Sequence, residues 1–189
     1  NIKKPFVFYP AQFWAHKNHV SIIEALAWLR DTKKIVIYGY FVGSDKGNLE
    51  YVKRMLKKYS LENQIFILGF VEYPALRYLY QNALAMTYVS LMGPNNLPPL
   101  EAAVLGCPVI VSNIPGHLEQ MEDAGFFVDA LKPQDIGAAI HLLYNDSMAR
   151  EKLISKGTKL ARKYKNYSYF KQMLRIIDEY VFWQKTWVD

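Results

Sequence analysis

The chain has 189 residues, 51% of them hydrophobic and 15% aromatic, which excludes a disordered chain and allows one domain with a sizeable core. The net charge of +6 suits an anionic ligand or an acidic membrane surface, but no nucleic-acid recognition motif accompanies it, so no nucleic-acid partner is predicted. A single cysteine, Cys107, excludes an internal disulfide framework and agrees with a cytoplasmic location.

Short apolar runs alternate with amphipathic helical patterns along the chain. Strands are predicted over residues 5–9, 35–38, 65–68, 84–89, 109–111 and 126–128. Helices are predicted over residues 20–30, 49–59, 73–82, 98–105, 133–144, 147–164 and 168–183. This alternation is typical of a Rossmann-like α/β fold, with a parallel sheet of about six strands and helices on both faces. Ligands of such sheets bind beyond the carboxyl ends of the strands.

The loop after the first strand, residues 10–19, contains one lysine and two histidines but no glycine-rich dinucleotide fingerprint. Lys17 could offer a mobile cation to a diphosphate, and the alternative is an exposed loop lysine. His16 and His19 have no carboxylate or cysteine nearby, so polar loop roles are expected for both and no metal site is predicted. His117 is expected to cap a helix that begins near residue 118.

The most informative stretch is residues 93–103, GPNNLPPLEAA, where a loop runs into a helix that opens with prolines. Proline is pre-organised for a first helical turn, and the N–H groups and dipole of that turn favour a phosphate. Glu101 lies one turn inside, placed to accept hydrogen bonds from hydroxyls such as those of a ribose. These features suggest a nucleotide, and the alternative is a proline-capped helix with a solvated glutamate.

Residues 97–103, LPPLEAA, and residues 106–112, GCPVIVS, resemble the donor-site signature of the group 1 retaining glycosyltransferases, which have the two-domain B-type fold. The resemblance covers nearly the whole chain, but only the C-terminal half of such an enzyme. Residues 1–189 are therefore predicted to be the nucleotide-sugar (donor) binding domain, with the N-terminal acceptor domain absent from this chain. The start of the chain, without an initiator methionine or a signal-peptide core, fits a piece of something longer.

What the family does is accordingly expected of the parent protein. The resemblance implies a retaining, metal-independent hexosyltransferase that uses no cofactor beyond its UDP- or GDP-type donor. The implied acceptor is a glycan or lipid-linked sugar, held by the missing domain, in cell-surface polysaccharide biosynthesis. Because that domain is missing, we expect the isolated chain to bind donor without appreciable turnover.

The resemblance also implies roles for single residues. Glu101 would bind the donor ribose and Lys17 the donor pyrophosphate, and both are predicted catalytic residues. The basic residue that the family places before this lysine falls on Gln12, which brings no charge. A glycine turn near the donor, after the second strand, falls on Gly39. The turn after the third strand would hold the nucleobase by its backbone, and it consists of Gly69, Phe70 and Val71.

The loop before the proline-rich helix departs most from the family, whose commonest version has a second glutamate at the position of Gly93. Asn95 and Asn96 offer amide groups that suit sugar hydroxyls, and the alternative is a turn chosen for shape alone. Altered sugar recognition is predicted. The predicted donor-binding residues of this segment are Gly93, Pro94, Asn95, Asn96, Leu97 and Pro98.

A basic stretch lies in the predicted helix 147–164 and just beyond it. A solvated face is the simplest interpretation, and the sharper hypothesis is peripheral contact with anionic lipid at the inner membrane face, worth about 1 kcal/mol per base. The bases are Lys152, Lys156, Lys159, Arg162, Lys163 and Lys165. Three aromatic residues near the end of the chain are expected to cover the missing half, and they are Phe182, Trp183 and Trp187.

Two rival functions stay open. A nucleotide-sugar epimerase can share the two-domain architecture, and conversion of a sugar nucleotide without an acceptor would favour it. A non-catalytic nucleotide-sugar-binding module is the other, and a parent protein with donor affinity but no transfer would favour that.

Overall fold

The computed structural model describes residues 2–93, 97–164, 175–177 and 179. Within these residues one sheet contains six parallel strands: β1 (Phe6–Pro10), β2 (Tyr38–Val42), β3 (Ile65–Gly69), β4 (Ala85–Tyr88), β5 (Val109–Ser112) and β6 (Phe126–Val128). Their spatial order is β3-β2-β1-β4-β5-β6. The chain therefore builds the sheet outward from β1 in one direction, then returns and builds outward from β4 in the other.

Helices follow the strands and cover both faces of the sheet. They are α1 (His19–Trp28), α2 (Leu49–Lys58), α3 (Tyr73–Asn82), α4 (Leu97–Val104), α5 (Pro115–Met121), α6 (Pro133–Asn145) and α7 (Ser147–Lys163). A 3₁₀ turn, Ala15–Lys17, precedes α1, and a π-helical turn, Leu29–Lys33, follows it. The predicted fold class is confirmed. Most of the predicted helix 168–183, and the three aromatic residues near the end of the chain, lie outside the described residues.

Burial explains the strand sequences and the close helix contacts. The first four residues of β1, Phe-Val-Phe-Tyr, are all buried, as expected of a central parallel strand covered on both faces. α6 packs against α1, where a Cβ on Gly137 would lie only 2.6 Å from Cε3 of Trp28. α7 packs against α4, where a Cβ on Gly157 would lie 3.4 Å from Ala103. Gly137 therefore allows α6 to approach α1 closely, whereas a Cβ at Gly157 would make only an ordinary van der Waals contact with α4.

The prediction for the second strand, residues 35–38, was wrong in position. The strand is Tyr38–Val42, so Gly39 lies inside it and not at its carboxyl end. The Gly39 N–H donates to Gln64 O at 3.0 Å, and an added Cβ would lie 3.1 Å from Ile65 and 3.2 Å from Leu26. Gly39 is thus a packing residue of the sheet, and its predicted contact with the donor is withdrawn.

The glycine at the carboxyl end of β2 is Gly43. Its N–H donates to Gly69 O at 2.9 Å, which joins the ends of β2 and β3. A Cβ at Gly43 would lie 2.4 Å from Ala11 O and 2.8 Å from Cα of Gln12. Only glycine therefore lets the loop after β2 cross so close to the backbone after β1.

His19 is fully buried at the start of α1, so its predicted polar loop role was wrong. Its ring stacks on Phe13 at a centroid distance of 4.4 Å and lies 4.7 Å from the ring of Tyr9. Nε2 lies 3.3 Å from Ala11 O, whereas Nδ1 has no hydrogen-bond partner among the described residues. Burial lowers the pKa of His19 to about 3, because an imidazolium would lose its hydration there.

This burial predicts a pH-dependent stability. The folded-state pKa of His19 lies below its ordinary 6.5, so the unfolded chain binds more protons between those values and stability falls as the pH drops below 6.5. At pH 5 the loss from His19 should be about 2 kcal/mol. Urea unfolding at pH 7 and pH 5 should show a larger fall in the wild type than in His19→Phe. Equal falls in the two proteins would contradict the assignment.

The basic face of α7 is partly neutralised. Lys156 Nζ lies 3.0 Å from Asp123 Oδ2, and Lys163 Nζ lies 2.6 Å from Glu122 Oε2. Both carboxylates come from the turn after α5. Two of the predicted lipid-facing bases therefore already have counter-ions, which favours the simpler interpretation of a solvated face.

Candidate functional site

The sheet reverses its direction of growth between β1 and β4, which are hydrogen-bonded neighbours. In doubly wound sheets such a switch point opens a crevice at the carboxyl edge, because the loops after the two strands diverge to opposite sides. Here those loops begin at residues 11 and 89, and the described parts of them are residues 11–18 and 89–93. The first carries Lys17, and the second leads into α4 and Glu101.

The side chain of Lys17 reaches across this switch point, from the loop after β1 to the end of β4. It is half-buried in the 3₁₀ turn after β1, and its Nζ donates to the hydroxyl of Tyr88 at 2.9 Å, at the end of β4. The ammonium also lies 5.1 Å from the centre of the Tyr88 ring. Burial lowers the pKa of Lys17 and raises that of Tyr88 to about 12. Lys17 was predicted to be a mobile loop cation, but its ammonium is held in position by the hydroxyl of Tyr88.

The two loops are held together beside Lys17. Leu91 N donates to His16 O at 2.8 Å, and Asn18 Nδ2 donates to Val89 O at 3.3 Å and to Ala130 O at 2.8 Å. Asn18 has a left-handed backbone, with φ of 56°, and separates the 3₁₀ turn from α1. These contacts fix the position of Lys17 relative to β4.

A buried histidine supports the crevice from β5. His117 lies inside α5, which begins at Pro115, so the predicted helix-capping role was wrong. Its Nδ1 is 2.8 Å from Ser112 Oγ, and that hydroxyl is 2.6 Å from Ser90 O in the loop after β4. Burial lowers the pKa of His117, and the nearby positive charge of Lys17 lowers it further. His117 is therefore neutral at pH 7.

Glu101 lies in the second turn of α4, and its side chain is exposed. The hydroxyl of Tyr80, on α3, donates to Glu101 Oε2 at 2.8 Å. Tyr80 is itself buried, with its ring edge-on to Phe8 at 4.8 Å, so it fixes one carboxylate oxygen. Glu101 borders a cavity of about 410 Å³ between α3 and α4 that is otherwise mostly apolar.

The helix that carries Glu101 begins one residue before the predicted start at Pro98. α4 starts at Leu97, with Pro98 and Pro99 in its first turn, and Leu97 is exposed. Pro94, Asn95 and Asn96 lie outside the described residues, so their predicted contacts with the sugar stay predictions.

Gly93, just before that gap, has a φ of 138°, which residues other than glycine rarely adopt. This backbone gives a conformational reason for a glycine where the family commonly has glutamate. Of the two explanations for the departure, the shape of the turn is therefore favoured at Gly93 itself.

The other predicted site residues lie at the carboxyl edge of the sheet. Gln12 is exposed, and its Oε1 accepts from the indole N–H of Trp14 at 3.1 Å. Gly69 ends β3 with a φ of 66°, and Phe70 beyond it is 83% exposed, whereas Val71 is half-buried. An exposed turn of this kind leaves its backbone accessible to a ligand.

Sequence reasoning missed Tyr80, Tyr88 and Asn18. Both tyrosines have apolar neighbours in the sequence, which indicates buried core positions. Their hydroxyl groups contact residues that are distant in the chain. Asn18 had one usable signal, because asparagine is among the few residues that tolerate a left-handed backbone next to a helix start.

Two features are absent from the described residues. No three His, Cys, Asp or Glu side chains come close enough there to hold a metal ion. Nor does that part of the chain contain a helix long and apolar enough to cross a membrane.

Six parallel strands in this order, with helices on both faces, define a doubly wound α/β domain. The chain belongs to the glycosyl transferases group 1 family, whose model matches residues 1–160.

Relatives and solved structures agree with this family. The O-antigen chain mannosyltransferase B of Escherichia coli is 32% identical over 84% of this chain, and the mannosyltransferase RfbU of Salmonella typhimurium is 29% identical over 61%. Those matches span 42% and 32% of the relatives' own lengths, so this chain covers less than half of each.

Among solved structures, Anabaena HepE in complex with UDP and glucose superposes with a TM-score of 0.79 at 18% identity, over 92% of this chain and 48% of that one. The C-terminal domain of LpcC, a glycosyl transferase group 1 protein from Francisella tularensis, gives a TM-score of 0.74 at 21% identity, over 87% and 88% of the two chains. At these identities the likeness shows the fold.

Proposed function

We propose that this domain binds the nucleoside-diphosphate sugar donor of a retaining glycosyltransferase. The observation that carries the proposal is Lys17, a half-buried ammonium held at the switch point between β1 and β4. A cation that has already lost part of its hydration binds a diphosphate at lower desolvation cost than an exposed lysine. α4, which begins in the loop after β4, adds the partial positive charge of its N-terminus.

The other proposed roles are those that the family resemblance implies. Glu101 accepts the ribose hydroxyls, with its carboxylate oriented by Tyr80. The backbone of the Gly69 turn holds the nucleobase, and Asn95 and Asn96 face the donor sugar. As the bond to the anomeric carbon breaks, charge develops on the diphosphate, and Lys17 and the α4 N-terminus stabilise it without a metal.

The relatives support a proposal for the acceptor and the pathway. Two of them are O-antigen mannosyltransferases, which supports a glycan or lipid-linked acceptor and a role in cell-surface polysaccharide biosynthesis. The structural neighbour crystallised with UDP and glucose supports a nucleotide-sugar donor. We assign acceptor binding to the part of the relatives that this chain does not span, and therefore expect the chain alone to bind donor without turnover.

Calorimetric titration of the chain with UDP, GDP and ADP, and with the matching nucleoside monophosphates, tests the proposal. We expect one diphosphate to bind, more tightly than its monophosphate, because the second phosphate gains the contact with Lys17. Equal affinities for the diphosphate and the monophosphate would contradict the role of Lys17. A folded chain that binds none of these ligands would contradict the donor-binding function of this domain.

Replacing Tyr80 by phenylalanine isolates the orienting contact. The ring and its packing against Phe8 are kept, but Glu101 loses a hydrogen bond worth about 1 kcal/mol. We expect about fivefold weaker binding of the preferred nucleoside diphosphate. The 2′,3′-dideoxy analogue, which lacks the hydroxyls that Glu101 accepts, serves as the control. If its affinity falls as much as that of the parent diphosphate, Tyr80 acts through something other than ribose recognition.

A further inference from the structure

One aromatic side chain of the first loop, three residues before Lys17, stays exposed. Trp14 is 43% exposed, although its neighbour Phe13 is fully buried. Trp14 flanks the start of the 3₁₀ turn that ends at Lys17, and Lys17 N donates to Trp14 O at 3.1 Å. The backbone of Trp14 is therefore hydrogen-bonded to that of Lys17, the residue proposed to hold the diphosphate.

The indole is fixed in place. Its N–H donates to Gln12 Oε1 at 3.1 Å, and its ring stacks on His16 at a centroid distance of 6.3 Å and an interplanar angle of 26°. Trp14 N also donates to Gln12 O at 2.8 Å. A tryptophan whose only donor is satisfied presents an apolar surface of fixed orientation. Gln12, where the family resemblance expects a base, thus serves to position this ring.

His16, on which the ring of Trp14 stacks, joins this loop to exposed apolar residues of the opposite loop. Leu91 and Met92, on the opposite loop, are 41% and 61% exposed, and Leu91 N donates to His16 O at 2.8 Å. Burial and the charge of Lys17 lower the pKa of His16, so its imidazole is neutral at pH 7 and can both donate and accept a hydrogen bond. An aromatic plane bordered by such groups matches a ring with apolar faces and a hydroxyl rim.

We propose that Trp14 is the stacking platform of a sugar-binding subsite at the rim of the Lys17 crevice. The proposal rests on the donor-binding function above and extends it. A pyranose ring exposes C–H groups on its faces and hydroxyls at its edge, which suits an aromatic surface beside hydrogen-bonding groups. The nucleobase does not compete for this position, because its proposed turn follows β3, two strands and about 10 Å from β1.

The sugar can come from the donor or from the acceptor, and the indole N–H signals in a ¹H–¹⁵N spectrum distinguish the two. Trp14→Phe assigns the Trp14 signal. Trp28, which is packed against Gly137, serves as an internal control. The ligands are UDP and GDP, UDP-glucose and GDP-mannose, and methyl α-mannopyranoside added with and without the nucleoside diphosphate.

For a donor subsite, we expect the Trp14 signal to move further with a sugar nucleotide than with its bare diphosphate, while Trp28 stays unchanged. Trp14→Leu should then weaken binding of the sugar nucleotide about three- to tenfold and leave the bare diphosphate unaffected. Trp14→Phe should restore most of that loss. For an acceptor subsite, the free glycoside should move the Trp14 signal, and Trp14→Leu should abolish saturable binding of the glycoside.

The proposal is overturned if no sugar-bearing ligand moves the Trp14 signal and Trp14→Leu binds each of them like the wild type. Failure of the donor-binding function gives a different result, namely a folded chain that binds neither diphosphate. The glycoside added alone still decides the subsite in that case, because it requires no nucleotide.

Discussion

Replacing Lys17 by methionine is expected to weaken binding of the preferred nucleoside diphosphate about 10- to 100-fold, the loss expected when a charged hydrogen-bond donor is removed from a half-buried site. Methionine keeps much of the apolar stem but loses the ammonium that bridges to Tyr88. The corresponding nucleoside, which has no phosphate, should bind both proteins equally. Calorimetric titration with the two ligands measures both effects.

A second lysine provides the matched control for this prediction. Lys53 lies on α2, is mostly exposed and pairs with Glu50 at 2.7 Å. Lys53→Met changes the net charge by the same amount, but its effect on diphosphate affinity should be within about twofold, because exposed and distant charges are screened. If the two variants lose affinity equally, the effect is one of overall charge and the assignment of Lys17 is wrong.

Replacing Gly43 by alanine is expected to lower the free energy of unfolding by about 3 kcal/mol or more. The new Cβ would lie 2.4 Å from Ala11 O and 2.7 Å from the Ala11 carbonyl carbon, and backbone atoms cannot move aside as a flexible side chain can. The φ of 155° adds strain. Urea unfolding followed by circular dichroism measures the change.

Gly47 separates these two causes. It lies in the same loop, has a φ of 92°, and a Cβ there would have nothing within 4 Å. Gly47→Ala should therefore cost only the backbone strain, about 1–2 kcal/mol. A Gly43→Ala protein as stable as Gly47→Ala would show that the backbone crossing at Ala11 is not as tight as described.

The fold was predictable because its signals are local. The sequence of β1 is a continuous apolar run, long enough for one strand and typical of a strand covered on both faces. Apolar residues at helical spacing follow it, so the two elements can be told apart. Proline and glycine marked the element ends well at Gly69 and Pro98 but misled at Gly39. There a glycine serves the packing of Leu26 and Ile65 against β2, which depends on tertiary structure and has no local signature.

The candidate site was predictable in part. Lys17 and Glu101 were found because charged residues next to loop and helix starts stand out in a sequence. Their partners, Tyr88 and Tyr80, were not found, because each contact joins residues 71 or 21 positions apart through the sheet order. His19 and His117 were predicted to have polar roles, yet both are buried. The predictions failed because the neighbouring residues do not reveal which face of each helix packs against the sheet.

A crystal structure of the chain with the nucleoside diphosphate selected by titration tests the central claim most directly. We expect the diphosphate in the crevice between the loops after β1 and β4, with a phosphate oxygen about 2.8 Å from Lys17 Nζ and a ribose hydroxyl on Glu101. A diphosphate bound elsewhere, for example in the cavity between α3 and α4 with no contact to Lys17, would contradict it.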